Sequence, residues 1–361
     1  MKSLYLLLFS LLIGNCVIGQ GTYQKNIQVI RYEPRGYKAI NPFSAHLSSE
    51  GTYHLGFYEE SFNNTNSSSP TIFKLSNDGE IEWMKYYTNE DYLESSVGFR
   101  GDGLSDVIPI NNNEFISCLA EDGRGRSFDG ISSVFLSFDK DGNELWDNVV
   151  FGRVRSNLII NDRKNILFSH WLFSSDTNEL LLVEMNKDGE IADTKRITAS
   201  VVIYKLLKTK DGNIFFIAYD QHPNFNGWIN SSLYFSPLER SYIGKMDENY
   251  NLIWMKTVSN NFPVSVKETL SGELVLSSFS KEEEFSYVTK LSASGEEIWS
   301  KFIPLSGGSI TDNININSKG EIILLSNTNL TTFDDLAYLS AINPIGEILW
   351  TRVLPTEWTS Y

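Results

Sequence analysis

The stretch Val288-Thr-Lys-Leu-Ser-Ala-Ser-Gly295-Glu-Glu-Ile-Trp299-Ser-Lys301 decides the fold, because variants of it recur along the chain. An apolar run leads into a short polar turn closed by glycine. A second run then opens with a charge and carries a tryptophan. Glycine adopts the left-handed backbone conformation that such turns need, so the segment reads as a β-hairpin. Working outward, the same order appears in Phe73-Lys-Leu-Ser-Asn-Asp-Gly79-Glu-Ile-Glu-Trp83-Met-Lys85 and Leu136-Ser-Phe-Asp-Lys-Asp-Gly142-Asn-Glu-Leu-Trp146. It returns in Leu182-Val-Glu-Met-Asn-Lys-Asp-Gly189-Glu-Ile-Ala192, in Ile243-Gly-Lys-Met-Asp-Glu-Asn-Tyr250-Asn-Leu-Ile-Trp254-Met-Lys256 and in Leu339-Ser-Ala-Ile-Asn-Pro-Ile-Gly346-Glu-Ile-Leu-Trp350-Thr-Arg352. In five of the six copies a tryptophan falls four residues after the turn position, and Asp193 stands there in the third.

Between these hairpins lies a second kind. It is clearest in Leu206-Leu-Lys-Thr-Lys-Asp211-Gly212-Asn-Ile-Phe-Phe-Ile-Ala218, Val266-Lys-Glu-Thr-Leu-Ser-Gly272-Glu-Leu-Val-Leu276 and Ile314-Asn-Ile-Asn-Ser-Lys-Gly320-Glu-Ile-Ile-Leu-Leu325, with weaker copies starting at His46, Ile108 and Leu158. The two kinds alternate strictly. Two hairpins make four strands, and six repeats of four strands make an all-β chain with the layout of a six-bladed β-propeller. Seven blades is the alternative, if the strand-like Lys25-Asn-Ile-Gln-Val-Ile-Arg31 belongs to an incomplete blade instead of closing the ring. The second strand of each unit, such as Ile214–Ala218, is continuously apolar, as expected of a strand covered on both faces. The fourth mixes charges with its tryptophan, as expected of an outer strand.

The pattern of an apolar strand, Asp/Asn-x-x-Gly, Glu-Ile-x-Trp and Lys/Arg resembles the PQQ-like (quinoprotein-type) propeller repeats of exported bacterial proteins. The resemblance covers residues from about 40 to 354 and implies a fold, not an activity. Blades are expected over about 40–88, 104–150, 155–197, 201–258, 264–303 and 309–354. The expected organisation is a signal peptide over 1–19, an N-terminal segment over 20–39 with the candidate ring-closing strand, and a single propeller domain over 40–361.

Met1-Lys2-Ser3, the apolar run Leu4–Ile13 and the small residues up to Gly19 form the three regions of a secretory leader. Cleavage near Gly19/Gln20 is expected, giving a secreted, periplasmic or cell-surface protein; lipid anchoring through Cys16 is the alternative. No later apolar run is long enough for a membrane-spanning helix. After cleavage Cys118 is the one cysteine left, which excludes an intrachain disulfide, and its apolar surroundings point to a buried structural thiol.

The chain has 361 residues, 41% hydrophobic and 21% charged, with 30 basic against 45 acidic side chains. That is a globular composition. The formal charge of −15 disfavours nucleic acid and anionic lipid as partners and leaves neutral sugars and proteins. A monomer is expected.

In a propeller, the connections between strands one and two and between three and four share one face. Here these are uniformly short. The other connections are long: 59–70, 89–103, 121–130, 170–178 and 221–240. Long connections on a rigid scaffold are where function concentrates. The ligand-binding candidates on them are Tyr92, Arg124, Arg126, Arg153, Arg155, His170, Trp171, His222 and Trp228. Aromatics beside arginine suit stacking on sugar rings and pairing with hydroxyls or carboxylates.

Catalytic signatures are lacking. His46, His54, His170 and His222 are too scattered for a zinc site, and no metal is expected. Asp139-Lys-Asp141-Gly-Asn143 lacks the later ligands of a calcium loop and reads as a hairpin turn. Gly123-Arg-Gly125-Arg126 precedes no helix, and no cofactor is expected. Two functions remain. One is a non-catalytic propeller binding a carbohydrate or an envelope or extracellular protein. The other is a lyase or hydrolase of acidic polysaccharide, using Arg124, Arg126, Arg153 or Arg155 against a carboxylate and His170 or His222 as base.

Overall fold

The computed structural model describes residues 31–33, 36–48, 51–62, 65–77, 80–86, 107–120, 132–173, 178–197, 201–220, 240–258, 261–280, 285–305, 309–328 and 337–354. These form antiparallel sheets and no helix. The first sheet runs in the order β1 (Arg31–Glu33), β2 (Gly36–Ser48), β3 (Gly51–Phe62), β4 (Thr65–Leu75) and β5 (Ile81–Tyr86). The second contains β6 (Val107–Pro109), β7 (Glu114–Ala120), β8 (Ser132–Asp139) and β9 (Glu144–Phe151). In the third, β10 (Arg153–Val154) and β11 (Ile159–Ile160) both pair with β12 (Ile166–Phe173), followed by β13 (Asn178–Met185) and β14 (Ile191–Arg196).

The fourth sheet is β15 (Val201–Lys208), β16 (Ile214–Asp220), β17 (Ser241–Met246) and β18 (Leu252–Val258). The fifth is β19 (Asn261–Glu268), β20 (Leu274–Ser280), β21 (Phe285–Leu291) and β22 (Glu297–Ile303). The sixth is β23 (Ser309–Ile316), β24 (Ile322–Thr328), β25 (Ala337–Ile342) and β26 (Ile348–Leu354). The fold is a six-bladed β-propeller. The chain forms two compact units, Met1–Val202 with Trp228–Asn230 and Ile203–Gly227 with Ser231–Tyr361. The first holds blades one to three and the first two residues of β15; the second holds the remaining strands of blades four to six.

Residues Arg31–Glu33 pair with the first sheet through β2, while residues 25–30 lie outside the described residues. The connection expected at 59–70 is mostly strand, since β3 continues to Phe62 and β4 begins at Thr65. Its Ser, Asn and Thr side chains suggested a loop. Pairing of β3 with both β2 and β4 satisfies its backbone groups whatever those side chains are.

Burial follows the expected strand order. β20 is buried throughout and β16 in all but its last residue, whereas β9 and β18 alternate between exposed and half-buried positions. Within each unit the cores between neighbouring blades are apolar. Ile116, Phe135, Phe168 and Val183 lie in one such cluster, and Val275, Val288, Ile303 and Leu324 in another. Cys118 belongs to the former, and burial raises its thiol pKa.

The repeated tryptophan and glycine explain each other. The Trp83 Nε1–H donates to the Lys140 carbonyl at 3.1 Å, that of Trp146 to Lys187 at 2.8 Å, and that of Trp299 to Pro344 at 3.2 Å. Each acceptor lies two residues before the glycine of the next blade's second hairpin. A methyl group on Gly142, Gly189 or Gly295 would come within 2.8 Å or less of the ring of Trp83, Trp146 or Trp254. These glycines also have φ between 77° and 85°. The residue two places after tryptophan completes the latch: Lys256 Nζ donates to the Gly295 carbonyl at 2.8 Å, and Asn148 Nδ2 to that of Gly189 at 2.5 Å.

Candidate functional site

The two ends of each sheet differ. At one end sit the turns within hairpins, nearly all built alike. The N–H of the left-handed residue donates to the carbonyl three residues earlier, as in Gly142 to Asp139 at 3.0 Å and Gly212 to Thr209 at 3.0 Å. The Oδ1 atoms of Asp139, Asn186, Asp247 and Asn317 each accept backbone N–H groups two and four residues ahead. All six sheets also shift register at the same point of the second hairpin.

Polar side chains at this end are used internally. Lys245 Nζ lies 2.5 Å from Asp211 Oδ2, and Lys290 Nζ lies 2.7 Å from Glu273 Oε2. In the third blade the polarity is reversed: Arg163 Nη1 and Asn165 Nδ2 donate to the buried Glu184 carboxylate at 2.5 and 2.9 Å. Burial alone would raise the Asp211 carboxyl, but Lys245, Thr209 and Asn213 together hold it well below the usual range. Lys210 Nζ also bridges to the Thr269 and Leu270 carbonyls of the next blade, at 2.8 and 2.9 Å.

At the opposite end the blades are fastened to each other beneath the connections. Ser133 Oγ donates to the Gly152 carbonyl at 3.1 Å and accepts the Val154 N–H at 3.0 Å. Ser286 Oγ accepts the Thr311 N–H at 2.9 Å, and Ser241 Oγ donates to the Asn261 carbonyl at 2.7 Å. Each serine starts the third strand of one blade and holds the first strand of the next.

Among the predicted site residues, Tyr92, Arg124, Arg126, His222 and Trp228 lie outside the described residues. Arg153 lies on β10 in register with Trp171. His170 and Trp171 lie on β12, not on a loop, while Arg155 follows β10 in the short segment that leads to β11. The apolar run Ile166–Phe173 continues as one strand through His170 and Trp171, which pair with Leu181 and Leu180. A single polar residue does not break a strand whose neighbours on both sides supply ladder bonds. Successive side chains point to opposite faces. His170 meets the edge of Phe168 and contacts Gly152, where a Cβ atom would lie 2.6 Å from its Cε1. On the other face the Arg155 guanidinium stands 4.4 Å from the Trp171 ring centroid, a cation–π contact. Arg155 and His170 are 1% and 2% exposed. Burial lowers the His170 pKa to about 4, with the Gly152 backbone opposing the drop.

The stack of Arg155 on Trp171 brings together two residues that lie 16 positions apart in the sequence. Sequence reasoning missed Tyr242. Its hydroxyl donates to Asp220 Oδ1 at 2.7 Å, and the Asp220 N–H donates to the Arg240 carbonyl at 3.2 Å, tying the two ends of the 221–239 connection. The Asp220 carboxylate raises the Tyr242 pKa. A tyrosine opposite the end of an apolar strand was the available signal. Among the described residues, no group of three or more His, Cys, Asp or Glu side chains is placed to hold a metal ion, and no helix is long and apolar enough to cross a membrane.

No family model matches the chain, and no curated protein matches it. Among solved structures, it is similar to a protein of unknown function from Bacteroides caccae, at 13% identity and a TM-score of 0.46, covering 79% of this chain and 90% of the other. A structure described as the Dos1 propeller gives 8% identity and a TM-score of 0.49 over 86% and 81% of the two chains. A putative gluconolactonase gives 13% and 0.38 over 62% and 74%. At these levels none of them bears on activity.

Proposed function

We propose that the protein is an exported, non-catalytic β-propeller that binds a carbohydrate or an envelope protein through the end of the blades bearing the long connections. The observation that supports this most is the contrast between the two ends. One carries short, uniform turns fixed by hydrogen bonds from their own backbone to Asp139, Asn186, Asp247 and Asn317. The other places its connections on strand ends fastened by Ser133, Ser241, Ser286 and the Tyr242–Asp220 pair. A fixed base under variable connections is the usual layout of a recognition surface. Burial of Arg155 and His170 argues against their serving a polymer directly as charge partner and base; they brace the strands beneath. The direct contacts fall to Tyr92, Arg124, Arg126, His222 and Trp228. Export by leader cleavage near Gly19 and membership of the PQQ-like repeat class, from the sequence pattern, belong to the same proposal.

The test is to probe the secreted mature chain on an array of neutral and uronic-acid oligosaccharides and against envelope extract, while following the absorbance of unsaturated products from acidic polysaccharides. Binding without product is expected. Product formation that disappears in His170→Ala or His222→Ala would overturn the reading in favour of a lyase.

A further inference from the structure

We propose that the fifth blade carries a stacking platform for an uncharged sugar ring on the outer half of one face, at the end where the long connections leave; this inference rests on the carbohydrate arm of the proposed function. Phe285, Tyr287 and Thr289 alternate along one face of β21, and Ile298, Ser300 and Phe302 along the same face of β22. The register places Tyr287 opposite Phe302 and Thr289 opposite Ser300. Phe302 stands edge-on to Phe285, with centroids 4.7 Å apart and planes at 68°, and lies 6.1 Å from Tyr287. The Thr289 and Ser300 hydroxyls are 2.9 Å apart.

The reverse face of these strands is core: Val288 and Ile303 are fully buried against the sixth blade. Yet Phe302 and Ile298 stay 39% and 49% exposed. The edge-on contacts hold the Phe302 ring in place, so little side-chain freedom remains to be lost when a ligand stacks on it. Charge selects the occupant. None of the six side chains is ionisable near neutral pH, so the platform itself supplies no ion-pair partner for a charged ligand. An aromatic surface bordered by hydroxyls fits a ring with apolar C–H faces and hydroxyl edges. Equivalent positions elsewhere lack this combination among the described residues. The second blade has Val134 opposite Val149, and the sixth has Tyr338 opposite Val353, with Tyr338 only 7% exposed.

Calorimetric titration of the full mature chain with cellohexaose, maltohexaose, xylohexaose and trigalacturonate tests this. At least one neutral oligosaccharide should bind the wild type more tightly than trigalacturonate. Phe302→Leu, which keeps apolar volume but removes the ring, should weaken it about tenfold. Phe302→Trp should retain it. Ser300→Lys, at an exposed position that leaves the core untouched, should weaken it similarly and guards against a folding defect in Phe302→Leu. Neutral-sugar binding unchanged in both Phe302→Leu and Ser300→Lys would overturn the platform and leave the proposed function standing. Preference for trigalacturonate would overturn the uncharged ligand class. No oligosaccharide binding by the wild type would remove both the platform and the carbohydrate arm, leaving protein recognition.

Discussion

Gly295 and Gly272 have nearly the same left-handed backbone, φ 77° and 86°, but different surroundings. A methyl group at Gly295 would lie 2.5 Å from the Trp254 ring, whereas at Gly272 the nearest atom is Glu268 Oε1 at 3.8 Å. Both alanine variants bear the backbone strain, and only Gly295→Ala must also displace an indole. Urea unfolding should therefore show Gly295→Ala less stable than Gly272→Ala by about 1–3 kcal/mol. Adding Trp254→Leu should shrink the gap, which a double-mutant cycle reads directly. Lys164 makes the reverse case. At φ 63° it occupies the left-handed position of a turn in which its siblings have glycine, so Lys164→Gly should stabilise the protein by roughly 0.5 kcal/mol in the same assay.

Hairpins join turn to strand through ion pairs whose partners differ in exposure. In the third blade the buried member is Glu184, at 2% side-chain exposure against 44% for Arg163; in the fourth it is Lys245, at 6% against 49% for Asp211. Removing the exposed partner strands a charge away from water, while removing the buried one leaves a charge that water can reach. Arg163→Leu should therefore cost more than Glu184→Leu, and Asp211→Leu more than Lys245→Leu, with the larger losses about 3 kcal/mol by denaturant titration. At this scale the sequence was most readable. Turn chemistry and strand periodicity are local, so Gly142, Gly295 and their tryptophans exposed the repeat without any knowledge of pairing. Contacts that depend on register were not readable. Arg155 meets Trp171 only because β10 and β11 both pair with β12, and Phe302 meets Tyr287 only through the alignment of β21 with β22. His170 was misplaced onto a loop because a polar residue was given more weight than the apolar run on either side of it.

For the whole molecule, acid sensitivity should come in two stages. Burial lowers the pKa of His170 from an ordinary 6.5 to about 4 and that of His54 to about 3, and it moves His46 the same way. The unfolded chain then binds protons that the folded chain refuses, so stability falls as pH drops below about 6.5. Asp211 and Glu273, held below the usual carboxylate range by Lys245 and Lys290, lose their contribution only at lower pH, as they are protonated through their depressed values. Stability measured from pH 7 to 4.5 should thus follow the histidines, and His170→Gln should flatten that slope without altering the steeper loss below it. The inverted polarity of the third blade also has a genealogical consequence. Duplicated coding segments exchange by unequal crossover, and one that spliced the first hairpin of blade three onto the second hairpin of blade four would set Arg163 against Lys245. Two cations would then meet where neighbouring copies oppose an acid and a base, a repulsion that an exchange of whole blades, each keeping its own pair, does not create.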